Sequence, residues 1–429
     1  MILRFIVIRI MIAASLCTSL CVAIGGPSSA PAIAADDPVV LIDGYIPRFA
    51  QKKEMNRLYD QAFDELQHAV LTRQARGQNL ECSVQILTEL AWLIQYTNFK
   101  ARVEKRMADL RQSLDLPAER QRAVLEQSQV DGSWGGCYEE WFLRVWASAD
   151  PAKELAFRHQ RPSHPLKFLD KIDSPEKIRA HMAALKVSRV SEEGRDHRKE
   201  LNLTVTGLGQ LLFLKDLAPV IGPALPRDAV ATGLRKFMDE EWQDPATGYW
   251  GPWYEVDGKI VKTEDLSITF HIASYRAGNV PLLDKLIRKT LAIRGRQYPF
   301  GWHDRDTQNN HHSYDVARLL RFGWPQMGLE ERAKTQAELF IITARARRLS
   351  INGVGEFDLR PYSSIDQAYY FGVSLFDEIG YFRPSRRFWI NRQPDDADEL
   401  RAQILANINR FGVNSPMMAE ARRKLLARD

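Results

Sequence analysis

Apolar residues recur at spacings of three and four along most of this chain, and that period predicts helix after helix. Between Arg48 and Arg76 the stripe is Phe49, Met55, Leu58, Tyr59, Phe63, Leu66 and Val70. The segment Val84 to Phe99 is more apolar all round, which predicts a buried helix. Pro117 and the run Ser174-Pro175-Glu176 have the form of helix starts, where a missing N–H is harmless. The same reading places helices over Leu201 to Leu217, Asp228 to Trp242, Asp265 to Arg276, Pro281 to Ile293, Ser313 to Phe322, Leu329 to Leu349, Ile365 to Ile379, Ala397 to Phe411 and Pro416 to Ala427. Alternating strands are scarce. The run Glu255 to Lys262 predicts one small hairpin, turning at Asp257-Gly258.

Between these helices lie loops that combine glycine with an aromatic residue: Asp131 to Gly136, Asp244 to Gly251 and Tyr298 to Asp304. Their spacing is irregular, so they are not a strict repeat. Helical hairpins joined by such turns predict an all-α fold, specifically an (α/α) toroid with inner and outer helices around a cavity. Trp134, Trp250, Trp253 and Trp302 would then turn flat apolar faces toward that cavity.

The first 35 residues have a different character. Arg4 and Arg9 flank and interrupt an apolar run from Phe5 to Ile24, and Ala32-Ile33-Ala34 has the form of a cleavage site. This predicts a signal peptide over 1–35 and a single toroid domain over 36–429, periplasmic or secreted, with no membrane contact after cleavage. The net charge of +5 falls to +3 when Arg4 and Arg9 are removed. That mild balance gives no sign of the basic stripe that nucleic acid demands. It suits a cleft that attracts an anionic small molecule or polymer. Outside the leader the cysteines are Cys82 and Cys137, either a disulfide or two buried thiols.

The densest chemistry is Asn309-Asn310-His311-His312-Ser313-Tyr314-Asp315. Such a cluster suits a site that holds an anion and moves a proton, because in a closed core each polar group would need its own partner. Asn309 and Asn310 also have the form of a helix cap, and Asp315 suits a first helical turn. About fifty residues on comes Asn352-Gly353-Val354-Gly355-Glu356-Phe357-Asp358-Leu359-Arg360, followed by Tyr362, Tyr369 and Tyr370. The Asn-Asn-His segment resembles that of alginate lyases and related (α/α)-toroid polysaccharide lyases, and the second segment resembles the stretch carrying their arginine and a later tyrosine. The family's spacing from arginine to tyrosine falls between Tyr362 and Tyr369, so both remain candidates.

The resemblance implies β-elimination on an acidic uronate polymer, with alginate first and glucuronan-like polymers next. A base takes the C5 proton, an acid protonates the departing O4, and donors neutralise the C5 carboxylate. Asn310, His311 and Arg360 would hold the carboxylate, with His311 also a candidate base. Tyr362 or Tyr369 would move protons. The mechanism needs neither metal nor organic cofactor. His303, Asp304, His311 and His312 are available as zinc ligands, but the helical His-x-x-x-His spacing is missing. A serine hydrolase elbow, a P-loop and a dinucleotide fingerprint are absent from the sequence.

Supporting roles fall on Asn309, His312 and Tyr314. A second cluster is the helix after Lys262, where Ser267, His271, Ser274 and Tyr275 share one face. His271 is its candidate catalytic or carboxylate-binding residue, with Asn202 as a further amide. Two alternatives differ in class. A glycoside hydrolase would need paired carboxylates, drawn from Asp131, Asp265, Asp304 and Glu356. A noncatalytic glycan-binding protein would keep the tryptophan loops alone.

Overall fold

The structure is a computed structural model that describes residues 39–41, 50–75, 78–302, 309–351, 355–358, 362, 365–411 and 416–427. The expected leader over 1–35 lies outside the described residues, as do His303, Asp304 and Arg360. The described chain is mostly helical, as the apolar period predicts. It forms two compact units, one within 31–281 and one within 282–429.

The first unit contains helices α1 (Ala50–Ala75), α2 (Glu81–Tyr96), α3 (Lys100–Ser113), α4 (Trp141–Phe157), α5 (Pro175–Lys186), α6 (Arg198–Phe213), α7 (Arg227–Lys236) and α8 (Leu266–Tyr275). Its centre is α6, which packs against both α4 and α8. Leu201, Leu208 and Leu211 on α6 are fully buried. Two glycines allow the close approach. A methyl group at Gly207 would stand 2.8 Å from a Val145 methyl, and one at Gly209 would stand 2.7 Å from the Tyr275 ring. Truncating a buried leucine here, such as Leu208, costs about 2–5 kcal/mol.

The starts of α6 and α8 are tied by charge. Asp265 caps α8 by accepting from the Ile268 N–H at 2.9 Å, and it also accepts from Arg198 Nε at 2.6 Å. The carboxylate is fully closed to solvent. An unpaired buried guanidinium is costly, so this pair fixes the register of the two helices.

A four-stranded sheet also belongs to this unit: β1 (Val39–Leu41), β2 (Val187–Ser188), β3 (Trp253–Val256) and β4 (Lys259–Lys262), in the order β1-β4-β3-β2. The antiparallel β3–β4 pair is the hairpin expected from the sequence. Its turn residues Asp257 and Gly258 both have positive φ, at 50° and 73°. The short parallel partners β1 and β2 were not expected.

The second unit contains α9 (Leu283–Ala292), α10 (Asn310–Gly323), α11 (Leu329–Leu349), α12 (Ile365–Glu378), α13 (Ala397–Phe411) and α14 (Pro416–Leu426), with a two-stranded ribbon of β5 (Ser350–Ile351) and β6 (Glu356–Phe357). Helix α12 packs against α10 and α14. Val316, Leu319 and Leu320 of α10 and Val373, Leu375 and Phe376 of α12 are fully buried. One boundary matters for the site: α10 begins at Asn310, three residues before the expected Ser313, so both histidines are helical.

Among the described residues no single helix is long and apolar enough to cross a membrane. Cys82 and Cys137 form a disulfide with Cα atoms 5.5 Å apart, closing 55 residues of chain. A loop of that length implies about 4 kcal/mol of stabilisation in the chain-entropy account. Replacing both cysteines with alanine is therefore expected to lower the unfolding free energy by up to about that amount. Denaturant melts of the oxidised protein and the double variant check this; identical midpoints contradict it.

Candidate functional site

The first turn of any helix has N–H groups without intrahelical partners, and α10 recruits two side chains for them. Asn309 stands at the cap, and its side-chain oxygen accepts from the His311 N–H at 2.9 Å. The Asn310 N–H donates to the Tyr362 hydroxyl at 2.8 Å, across 52 residues of sequence. The Asn310 side chain is itself buried, and its Nδ2 has no hydrogen-bond partner among the described residues. A buried amide donor left without a partner is costly and calls for an acceptor from elsewhere.

The imidazole of His311 lies alongside. It stacks on Phe371 of α12 with ring centroids 4.0 Å apart. The Tyr362 ring lies nearly parallel to that same Phe371, at 6.4 Å. One apolar ring thus sits beside both the imidazole and the phenol. Asp315 follows one turn later on α10, fully buried, with Oδ2 at 3.8 Å from His311 Nε2. That is too long for a hydrogen bond but close enough to bias the ring's orientation and tautomer. Tyr298 reaches the same carboxylate oxygen at 3.4 Å, and its ring stacks on His312 with centroids 3.4 Å apart. The chemistry-bearing groups at the start of α10 are therefore an amide, a part-exposed imidazole and a phenol.

Other expected members sit elsewhere. Tyr369 is a core residue: it is 1% exposed, with its ring edge-on to Phe357 and Phe411. Burial first, then the negative charge of Glu356, pushes its hydroxyl up to about 12, which suits a packed phenol better than a proton shuttle. Tyr362 is buried too, at 6% exposed, but it is the tyrosine that stands at the start of α10. Tyr314 is also buried, and its hydroxyl accepts from Arg318 Nη1 at 2.6 Å. Burial raises that phenol above its ordinary range, with Arg318 opposing. In the structure its hydroxyl is thus engaged by Arg318 within the protein.

The tryptophan loops turn inward. Trp250 is fully buried and donates from Nε1 to the Met238 carbonyl at 2.8 Å. Trp134 is buried, its N–H bonded to the Ser148 hydroxyl at 3.0 Å. Both residues belong to the packed core. Trp302 is part-exposed as a residue, with its Nε1 buried, and Trp253 has Lys186 and Lys262 over its ring. Of the four carboxylates a hydrolase could draw on, Asp304 lies outside the described residues and the other three are engaged within the protein. Asp265 is the cap already described. Asp131 accepts from the Ser133 hydroxyl at 2.8 Å and from its N–H at 3.1 Å. Glu356 pairs with Arg410. A cavity of about 460 Å³ opens between Arg347, Asp396 and Gln403, and none of the expected site residues lines it.

In the first unit the second cluster forms as a polar seam between α6 and α8. Asn202 Nδ2 donates to the Ser267 hydroxyl at 3.0 Å. His271 follows one turn after Ser267, its ring stacked on Tyr275 at 5.7 Å. Its Nδ1 is buried without a hydrogen-bond partner among the described residues. Lys199, one turn before Asn202, was missed in the sequence because a lone lysine in Arg198-Lys199-Glu200 has the look of a solvated helix start. Asp315, Tyr298 and Phe371 were also unassigned or given only structural roles. Among the described residues no three His, Cys, Asp or Glu side chains are grouped so as to hold a metal ion.

Comparison with protein-family models, curated proteins and solved structures gives no match.

Burial first, and then the charge of Lys199, lowers His271 from 6.5 to about 3. The folded ring therefore stays neutral while the unfolded ring takes a proton as pH falls below about 6.5. His271 thus contributes stability above that point and loses it progressively toward the folded value. The imidazole proton resonances of His271 should show no titration between pH 5 and 8; a midpoint near 6.5 contradicts this burial.

Proposed function

We propose that this chain is an exported polysaccharide lyase, built on an (α/α)-toroid scaffold, that cleaves an acidic uronate polymer by β-elimination. The observation that carries the reading is the bond from the Asn310 N–H to the Tyr362 hydroxyl. It places a phenol at the same helix start as the buried Asn310 amide and the His311 imidazole. Arg360, outside the described residues, is included on the sequence resemblance alone. The paired helices of each unit are compatible with the toroid, and the Cys82–Cys137 bridge supports export to an oxidising compartment.

In this reading the unpartnered Asn310 amide donates to the C5 carboxylate of the sugar, with the Arg360 guanidinium as the charged partner. Neutralising that group makes the C5 proton more acidic. His311, oriented by Asp315 and Phe371, takes the proton as general base. The electron pair of the broken C5–H bond forms C4=C5. The C4–O4 bond breaks, and its pair leaves on O4, which takes the proton of the Tyr362 hydroxyl. The helix start favours negative charge on the oxygen left behind. Polymannuronate, alginate and glucuronan-like polymers all present this carboxylate.

Incubation with such polymers should produce ultraviolet absorbance from the new C4=C5 bond without added metal. His311→Ala and Tyr362→Phe should each lower the rate by about 10²–10⁴-fold, the usual worth of a general acid or base. Tyr369→Phe should retain the wild-type rate. Saturated products from wild-type protein point to a hydrolase instead. Glycan binding that survives loss of His311 and Arg360, with no turnover, points to a binding protein.

A further inference from the structure

The cavity of about 460 Å³ in the second unit is used by no step of the elimination chemistry. Ala344, Arg347 and Arg348 line it from the last turns of α11, at spacings of three and four that put them on one face. Glu399, Leu400 and Gln403 line it from the start of α13, again at spacings of that kind, with Asp396 one residue before the helix. Its volume is of the size that takes one small molecule.

Two of the four lining charges are spent. Arg347 pairs with Asp396, and Asp396 also accepts from the Tyr381 hydroxyl. The other two do not meet each other. Among the described residues Arg348 has no carboxylate partner and Glu399 has no cation. Glu399 Oε1 accepts only from the neutral Gln403 amide, at 3.0 Å. Both residues are exposed, so each reaches solvent as well as the cavity. On a convex surface a lone arginine and a lone glutamate would simply be hydrated. Here they face one concave space without closing on each other, and low-dielectric walls strengthen the field of each.

We propose that this cavity binds a free α-amino acid with an aliphatic side chain. Its carboxylate lies on the Arg348 guanidinium, whose planar fork matches it. Its ammonium lies on Glu399, and its side chain lies against Leu400 and Ala344. A guest with one charge satisfies only half of the site. With Arg347 and Arg348 balanced by Asp396 and Glu399, the lining has no net charge to favour an anion or a cation as such. The proposal does not rest on the lyase reading, and no residue assigned to elimination lines the cavity.

The test titrates the full-length protein with L-leucine and with two analogues that each lack one charge, 4-methylpentanoate and 3-methylbutylamine. Saturation-transfer NMR reads the affinity of each. Leucine should saturate one site, and each analogue should bind about tenfold more weakly or worse, the usual loss of one charge-assisted contact. Arg348→Ala should bind leucine no better than 3-methylbutylamine, and Glu399→Gln should bind it no better than 4-methylpentanoate. Arg348→Ala should keep the wild-type elimination rate, and His311→Ala should bind leucine like the wild type, so failure here and failure of the lyase reading are told apart. The proposal is overturned if leucine shows no saturable binding at millimolar concentration, if either analogue matches it, or if both variants bind it unchanged. The comparison of the three ligands needs only wild-type protein, so it decides the matter even where a variant fails to fold.

Discussion

A helix start exposes N–H groups that must be satisfied, and at the head of α10 that requirement joins two distant parts of the chain. Asn309 satisfies one donor locally, and Tyr362 satisfies another from 52 residues away. The second bond is what brings a phenol beside the Asn310 amide and the His311 imidazole. Phe371 completes the arrangement by packing against both rings. Without the long-range bond the polar run would be no more than a capped helix. With it, an amide, an imidazole and a phenol share one location, and the Asn310 Nδ2 has no hydrogen-bond partner among the described residues.

The first unit is organised by a different constraint, the buried pair of Arg198 and Asp265. Each charge is tolerated only because the other is present. The pair sits at the start of both α6 and α8, and so it sets which residues face each other further along. Asn202 opposite Ser267 is one result. Gly207 and Gly209 let α6 lie close to its two neighbours, which is why polar groups on this helix are shielded enough to have altered proton affinities.

Much of the helical architecture was legible because its signals are local. Apolar spacing located α11 and α13 to the residue, and Asp257-Gly258 located the hairpin. Two helices escaped notice for physical reasons. Helix α3 is rich in charge, with only Val103, Met107 and Leu110 as its apolar stripe, and α4 carries Pro151 in its interior. Helix α10 starts earlier than its apolar stripe because caps, not apolar contacts, determine its beginning. The short parallel strands β1 and β2 depend on pairing with distant partners, and two or three residues carry no period to detect. At the site, the grouping of Asn309, Asn310 and His311 was readable from composition. Which tyrosine stands beside them was not, since that turns on a hydrogen bond between residues 52 positions apart. The tryptophan loops misled because a Gly-Trp turn looks alike whether the indole faces inward or outward, and Trp134 and Trp250 face inward.

The reaction proposed for Asn310, His311 and Tyr362 differs from hydrolysis by the mass of one water in the products. Mass spectrometry of products from a defined uronate oligomer measures it directly. Elimination predicts fragments whose masses sum to that of the substrate, with one fragment carrying the unsaturated end. Fragments that together exceed the substrate by one water contradict the assignment, and so does an oligomer left intact by folded protein.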